Sequence, residues 1–128
     1  SSSSDSYLFR RIRENMDKCI FCGIASGEIE ADIVAASDEW LAFRDLNPTA
    51  PSHVLVIPRR HIQNMNDLSE LDVELLGELL LACQKVAQDE GIEGGYRIVT
   101  NTGKEGGQAI FHLHFHVLGG RGMEWPPG

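Results

Sequence analysis

Apolar residues recur along the chain with two different spacings, and each spacing predicts a different kind of element. Between residues 68 and 90 they recur at every third or fourth position, which is the pattern of an amphipathic helix. Asp67 and Glu70 are spaced as a capping box, and Gly91 is typical of the position just after a helix end. The apolar stripe is broad and contains Leu68, Leu71, Leu75, Leu76, Leu79, Leu80, Leu81, Ala82, Cys83 and Val86. Its width predicts that the helix also packs against a second copy of the chain.

Shorter apolar runs, bounded by turn residues, predict five strands and one short helix. The run 53–57 is rich in β-branched residues and is stopped by Pro58, so we expect a well-buried strand there. The predicted elements are a short helix at 18–26, a hairpin of strands 33–36 and 39–44 with its turn near Ser37 and Asp38, strands at 53–57, 96–100 and 110–118, and a glycine-rich loop at 102–108. Together with the long helix, this order predicts an α+β fold with a mainly antiparallel five-stranded sheet.

The composition is that of a single globular domain. The chain has 128 residues, of which 42% are hydrophobic and 23% are charged. We expect residues 1–16, with their four leading serines, to be a flexible extension or an expression remnant, and 17–128 to be the domain. The three cysteines are an odd number, and the first residues do not resemble a secretory signal, so we expect a cytoplasmic location.

The charge balance narrows the classes of partner. Acidic residues outnumber basic ones by 19 to 11, and the net charge is −8. Non-specific nucleic-acid binding depends on Lys and Arg neutralising phosphates, so this chain is a poor candidate for it. No apolar run approaches the roughly 18 residues that cross a bilayer. We therefore expect neither a nucleic acid nor a membrane as partner, whereas backbone N–H groups can still bind a small phosphate locally.

Three of the five histidines lie at alternate positions of the apolar segment 110–118. Because side chains of a strand alternate between its faces, His112, His114 and His116 are predicted to share one face. The residues predicted to face the core are Phe111, Leu113, Phe115 and Val117. A neutral imidazole attacks phosphorus when its second nitrogen holds the proton, so a neighbour must fix the tautomer. The segment predicts nucleophilic catalysis; a metal site completed by a ligand from elsewhere is the alternative.

Further motifs along the chain resemble one known family. They are Asp45-Leu46-Asn47-Pro48, the stretch 52–62, Gly95-Tyr96-Arg97, Asn101, Gly106-Gly107-Gln108, His112-x-His114-x-His116 and the stretch 118–128. This combination resembles the histidine-triad (HIT) superfamily over residues 19–128. The ending Trp125-Pro126-Pro127-Gly128 resembles the Hint branch rather than the dinucleoside polyphosphate hydrolases.

The resemblance implies a fold, an assembly and a reaction. The implied fold is HIT-like, and the long helix and an adjacent strand join two protomers into a homodimer with one continuous sheet. The implied reaction is the hydrolysis of purine nucleoside 5′-phosphoramidates and acyl-adenylates through a nucleotidyl-histidine intermediate, without a cofactor. His114 matches the nucleophile, and the backbone carbonyl of His112 matches the group that orients it. His116 and His53 match a hydrogen-bonded relay beside the α-phosphate.

Other positions match the family's contacts with the nucleotide, although several also fit simpler structural roles. Asp45 matches the carboxylate that holds the ribose hydroxyls, yet an Asp before Asn-Pro is also typical of a turn. The matched positions are Phe21, Ile24 and Phe43 around the base, Asp45 and Leu46 at the ribose, Asn101, Gly107, Gln108 and Ala109 at the phosphate, and Trp125 reaching toward the partner subunit's site.

Two features depart from the Hint pattern. Ala109 stands where many relatives have a hydroxyl that assists the amine leaving group, so we expect weaker protonation of that group. Cys19 and Cys22 match a zinc-binding Cys-x-x-Cys of other HIT branches, whose two histidine ligands match His61 and His112. Buried thiols without a metal are the alternative. The alternative functions are a dinucleoside polyphosphate hydrolase and a non-catalytic purine-nucleotide-binding module.

Overall fold

The computed structural model describes residues 19–48, 50–108, 110–120 and 122, and the predicted extension 1–16 lies outside this range. The helices and strands are α1 (Ile20–Ser26), β1 (Ile33–Ala36), β2 (Trp40–Arg44), β3 (Ser52–Pro58), α2 (Val73–Asp89), β4 (Tyr96–Val99) and β5 (Phe115–Gly119). Within the described residues the strands form one sheet in the order β1-β2-β3-β5-β4, with every neighbouring pair antiparallel. The predicted α+β class and the five-stranded antiparallel sheet are confirmed.

The long helix begins later than its apolar pattern indicates. Two short 3₁₀ turns, Met65–Asp67 and Glu70–Asp72, precede it, and Leu68 between them has an extended backbone. The predicted capping box was wrong: the pair that forms one is Ser69 with Asp72. The Asn64 side chain caps the first turn, which ends at Leu68 instead of continuing as a helix. At the other end Gly91 has the predicted left-handed conformation, with φ of 76°.

The last strand is also shorter than predicted, because residues 110–114 do not pair within the sheet. β5 pairs with β3 only from Val56 opposite Phe115 onward. Before that point the Leu113 N–H donates to the Ile62 carbonyl at 2.6 Å, which draws the segment away from β3. The prediction that all three histidines lie on one strand was therefore wrong, since only His116 belongs to β5.

The two faces of the sheet contribute to two separate apolar clusters. β3 supplies both, because Val54 and Val56 pack with α2, whereas Leu55 and Ile57 pack with α1. This double coverage explains the unbroken apolar run of β3. The α2 cluster also contains Leu113, Phe115 and Val117, as predicted.

Phe111 was predicted to face the core with these three residues, and that prediction was wrong. Phe111 is 45% exposed, because the His112 N–H donates to the Ile110 carbonyl at 2.9 Å and forms a tight turn centred on Phe111, before the alternation that starts at Leu113. Within the described range, neither helix is long and apolar enough to cross a membrane.

Candidate active site

A cavity of about 370 Å³ lies on the α1 side of the sheet. Its apolar lining comes from α1, β2 and β3, and its polar lining includes two of the three clustered histidines. The predicted site residues that line it are Phe21, Ile24, Phe43, Asp45, Leu46, Asn101, Gly107, His114 and His116. The structure thus brings together residues that lie almost a hundred positions apart in sequence.

His114 is held in one orientation and one tautomer. Its Nδ1–H donates to the backbone carbonyl of His112 at 2.6 Å, so the lone pair lies on Nε2. The edge of the Phe21 ring packs against the imidazole, and Thr100 Oγ1 donates to the His114 carbonyl at 2.9 Å. Burial lowers the pKa of His114 below its usual value, outweighing the His112 carbonyl and Asp45, which raise it. The ring is therefore neutral near pH 7, as a nucleophile must be.

Asp45, His53 and His116 form a polar group beside this imidazole. His53 Nε2 lies 2.9 Å from His116 Nδ1 and 3.5 Å from Asp45 Oδ2. Burial lowers the pKa of His116 to about 4, and the neighbouring His114 and His53 add to the shift. Burial also lowers the pKa of His53, although Asp45 opposes that change. Both rings are therefore neutral near pH 7.

Asp45 has the turn role that its sequence context suggested and also lines the cavity. Its Oδ1 accepts from the Asn47 N–H at 2.8 Å, which is the bond of an Asx turn, while its Oδ2 lies on the His53 side. The carboxylate that shapes the turn is thus also fixed at the cavity. Leu46, the next residue, lines the same cavity with its side chain 88% exposed.

The glycine-rich loop contributes Gly107 to the wall of the cavity, whereas the side chain of Gln108 does not line it. Gly107 has a left-handed φ of 84° and lines the cavity, and Asn101 Nδ2 holds the loop by donating to the Gly106 carbonyl at 2.6 Å. The Gln108 amide is buried and donates to the carbonyls of Gln63 and Ile110, so this side chain braces the loop. Ala109 and Trp125 lie outside the described residues.

Cys19, Cys22, His61 and His112 converge in a second group, and their ligand atoms all lie within 4.8 Å of one another. His112 Nδ1 is 3.1 Å from Cys19 Sγ and 3.4 Å from Cys22 Sγ. His61 Nδ1 is 3.1 Å from Cys22 Sγ. The His112 Nε2–H donates to the Pro58 carbonyl at 3.1 Å, so the lone pair on Nδ1 faces the thiols.

Several contacts of the site were missed from the sequence. Leu55 lines the cavity, and it lies opposite Phe43 in the β2–β3 register, so strand alternation could have identified it. The Pro58 carbonyl and the Thr100 hydroxyl fix His112 and His114, yet such contacts to or from backbone groups leave no pattern in a sequence.

Comparison with known proteins gives a consistent result. The HIT domain family model matches residues 26–123. A HIT-like protein of Synechococcus elongatus is 51% identical over 109 residues, which are 85% of this chain and 96% of that protein. A HIT family hydrolase from Legionella pneumophila is 50% identical with a TM-score of 0.84, over 86% of this chain and 99% of that one.

A more distant solved structure preserves the same fold. A histidine triad nucleotide-binding protein from Candida albicans is 28% identical with a TM-score of 0.73, over 86% of this chain and 84% of that one. The resemblance inferred from the motifs is confirmed, and the chain belongs to the HIT domain family.

Proposed function

We propose that the protein hydrolyses purine nucleoside 5′-phosphoramidates and acyl-adenylates through a covalent nucleotidyl intermediate on His114. The observation that carries this proposal is the 2.6 Å hydrogen bond from His114 Nδ1 to the His112 carbonyl. It leaves the lone pair on Nε2 of a neutral ring that lines a mainly apolar cavity. The nucleotide-binding description of the Candida albicans protein supports a nucleotide as the ligand.

The reaction proceeds in two displacements at phosphorus and needs no cofactor. In the first, His114 Nε2 bonds to the α-phosphorus while the bond to the leaving group breaks. This bond is the P–N bond of a phosphoramidate, whose amine takes up a proton from solvent, or the P–O bond of an acyl-adenylate, whose carboxylate leaves as an anion. In the second, a water oxygen attacks the phosphorus, the bond to Nε2 breaks and the water releases a proton, which yields the nucleoside 5′-monophosphate. The His112 carbonyl stabilises the positive charge that the ring carries in the intermediate, since it accepts the Nδ1–H.

The remaining cavity residues hold the nucleotide. Phe21, Ile24 and Phe43 provide the apolar surface for the purine, and Asp45 accepts hydrogen bonds from the ribose hydroxyls, with Leu46 beside it. At the phosphate we assign the second amide N–H of Asn101 and the His53–His116 pair, with Gly107 lining the cavity beside them while its own N–H donates to the Lys104 carbonyl. Gln108 supports this loop, and we extend the proposal to Ala109 at the phosphate and Trp125 toward a partner subunit.

Turnover of adenosine 5′-phosphoramidate tests the proposal. We expect His114→Ala to lose at least about 10⁴-fold in kcat, because the covalent route is removed. Binding of AMP and the circular dichroism spectrum should be retained, and mass spectrometry of quenched wild-type reactions should detect adenylylated His114. Equal turnover by the two proteins would refute the assignment. Faster cleavage of diadenosine polyphosphates would favour the dinucleoside polyphosphate reaction, and AMP binding without any turnover would favour a binding module.

We also propose that the protein is a homodimer joined through α2 and the edge strand β4. β4 lies at the edge of the sheet, where a strand of a second copy can be added. Exposed apolar side chains lie on and just before α2, namely Leu71, Val73, Leu80 and Leu81. Leu81→Glu should shift the mass measured by light scattering from dimer to monomer, whereas the control Ala36→Glu, at an exposed position of β1 on the opposite edge of the sheet, should leave it unchanged.

The Cys19, Cys22, His61 and His112 group fits a structural zinc ion. Two thiols and two imidazoles are a donor set that tetrahedral zinc prefers, and Pro58 already fixes the His112 tautomer that ligation needs. Burial raises the pKa of Cys22 to about 12, and Cys19 adds to the rise. Two neighbouring thiolates are therefore unfavourable here without a cation, and a bound ion would stabilise them. A bound ion would join α1 to the segments that carry His61 and His112.

Elemental analysis of purified protein tests this site. We expect about one zinc per chain, lost in Cys22→Ser. Cys83→Ser is the matched control, because Cys83 is buried in the α2 cluster and is not part of the group. Equal zinc in the wild type and Cys22→Ser, or none in the wild type, would refute a zinc ion bound by this group.

A further inference from the structure

A second group of side chains that could bind a metal lies at the cavity, apart from the cysteines. Asp45 and His116 line the cavity, His53 contacts both, and one ligand atom from each of the three lies within 4.8 Å of the others. The three residues come from separate places in the chain: the turn after β2, the second residue of β3 and the second residue of β5. Their convergence is a property of the folded sheet and is independent of the Cys-x-x-Cys sequence.

The two separations from His53 Nε2 are close to those around a tetrahedral ion, and the third, between His116 and Asp45, is at most 4.8 Å. With metal–ligand bonds of about 2.0–2.1 Å, neighbouring ligand atoms lie roughly 3.3–3.4 Å apart. In the structure His53 Nε2 is 2.9 Å from His116 Nδ1 and 3.5 Å from Asp45 Oδ2. To reach this spacing, His53 Nε2 and His116 Nδ1 would have to move apart by a few tenths of an ångström. Asp45 Oδ2 would have to move toward His53 Nε2 by a smaller distance. Side-chain rotations of that size need no movement of the strands.

The ligand chemistry selects the class of ion. Two neutral imidazoles and one carboxylate suit Zn²⁺, Co²⁺ and similar borderline cations, whereas Mg²⁺ and Ca²⁺ prefer oxygen ligands. The side chain of His53 is 5% exposed and that of Asp45 is 23% exposed, so both are held in place while the cavity gives access. The proton now shared by the two imidazoles must move to another ring nitrogen or to solvent when the ion binds.

We propose that Asp45, His53 and His116 bind a divalent zinc-like cation in the nucleotide-free protein, and that this ion excludes the nucleotide. The exclusion of the nucleotide rests on the proposed function, in which Asp45 holds the ribose hydroxyls and the two imidazoles lie at the phosphate. The ion would occupy the Asp45 oxygen and the two imidazole nitrogens that the proposed function assigns to the ribose hydroxyls and the phosphate, so the cation and the nucleotide compete for the same three side chains. The ion is therefore a competitive inhibitor, and the phosphoramidase is regulated by the free concentration of such cations.

Equilibrium dialysis against buffered free Zn²⁺, with metal counted by mass spectrometry, tests binding without any turnover. We expect wild-type protein to bind one equivalent more than Asp45→Asn, which keeps the shape of the side chain but lacks its charge. The matched control Asp89→Asn removes an exposed carboxylate at the end of α2 and should bind as the wild type does. Co²⁺ bound at this site should give the visible absorption of a tetrahedral ion, and Mg²⁺ should not compete. Equal equivalents in wild type and Asp45→Asn overturn the site.

AMP and substrate test the exclusion. AMP at ten times its dissociation constant should weaken binding of the extra equivalent by about eleven-fold, and zinc should raise KM without lowering kcat. AMP that tightens zinc binding overturns exclusion. Displacement of the ion by AMP in a protein that turns over no phosphoramidate supports the inference while the proposed function fails. Normal phosphoramidate turnover by a wild-type protein that binds no more zinc than Asp45→Asn would overturn the metal site and leave the proposed function standing.

Discussion

The face of the sheet that meets α2 is closed, whereas the face that meets α1 is only partly covered. α2 has 17 residues and spans about 25 Å, and α1 has 7 residues and spans about 10 Å. Beneath α2 the side chains of Ala42, Val56 and Val117 have no exposed surface. Beneath α1 the same strands leave a cavity of about 370 Å³. The length of the covering helix therefore determines which face can admit a ligand.

The segment 112–117 contributes to both faces in alternation. Leu113 is fully buried in the α2 cluster, and His114 beside it lines the cavity. Adjacent positions of one segment thus have separate tasks, one in stability and one in chemistry. Substitutions on the two faces should consequently change different measurements.

The largest effect on stability is expected from Leu113→Ala. Removing a fully buried leucine from a closed cluster should lower the free energy of unfolding by about 2–5 kcal/mol, measured by urea denaturation. The folded fraction should retain kcat within about three-fold, because the side chain does not line the cavity. His114→Ala is the control at the neighbouring position, and it should keep its free energy of unfolding while it loses kcat. Loss of kcat in folded Leu113→Ala would contradict the separation of the two faces.

The difference between the faces also explains how far sequence patterns could predict the molecule. Regular apolar spacing identified α2, the antiparallel sheet and the buried run of β3, because each of these elements follows one repeat. The histidine spacing correctly grouped His114 with His116, which both line the cavity, whereas His112 lies with the cysteines; the short-range alternation from Leu113 to Val117 was correct. These predictions concern residues whose neighbours in sequence are also their neighbours in structure.

The predictions that failed concern contacts made across the chain. The Leu113 bond to the Ile62 carbonyl removes residues 110–114 from the strand, and no local spacing encodes that bond. The capping pair moved from Asp67 and Glu70 to Ser69 and Asp72 because Asn64 caps an earlier turn. The contact between His53 and His116 was expected from the motif resemblance and not from any local spacing, because it depends on the pairing of β3 with β5.

The pH dependence of turnover gives a smaller effect that reports on burial at the open face. His114 must be neutral to attack, and burial lowers its pKa below 6.5. The acid limb of kcat/KM should therefore lie below pH 6.5, so that activity at pH 5.5 falls by less than the roughly ten-fold loss expected for an unperturbed imidazole. Initial rates measured from pH 4.5 to 8 give the position of this acid limb. Recovery of full activity after return to pH 7 is the control for unfolding. A limb at or above pH 6.5 would show that solvent reaches the ring freely.

The smallest effect is expected at the apolar wall of the cavity. Phe43 packs its ring 5.6 Å from that of Phe21, and both line the space assigned to the purine. Phe43→Leu keeps an apolar side chain but removes the ring, so KM for adenosine 5′-phosphoramidate should rise by about five-fold, equivalent to about 1 kcal/mol of aromatic contact. Leu41→Ile changes the same strand and the same face away from the cavity, and should alter stability slightly without changing KM. If both variants raised KM equally, the effect would come from the packing of β2 and not from contact with the base, and the purine would have to be placed elsewhere.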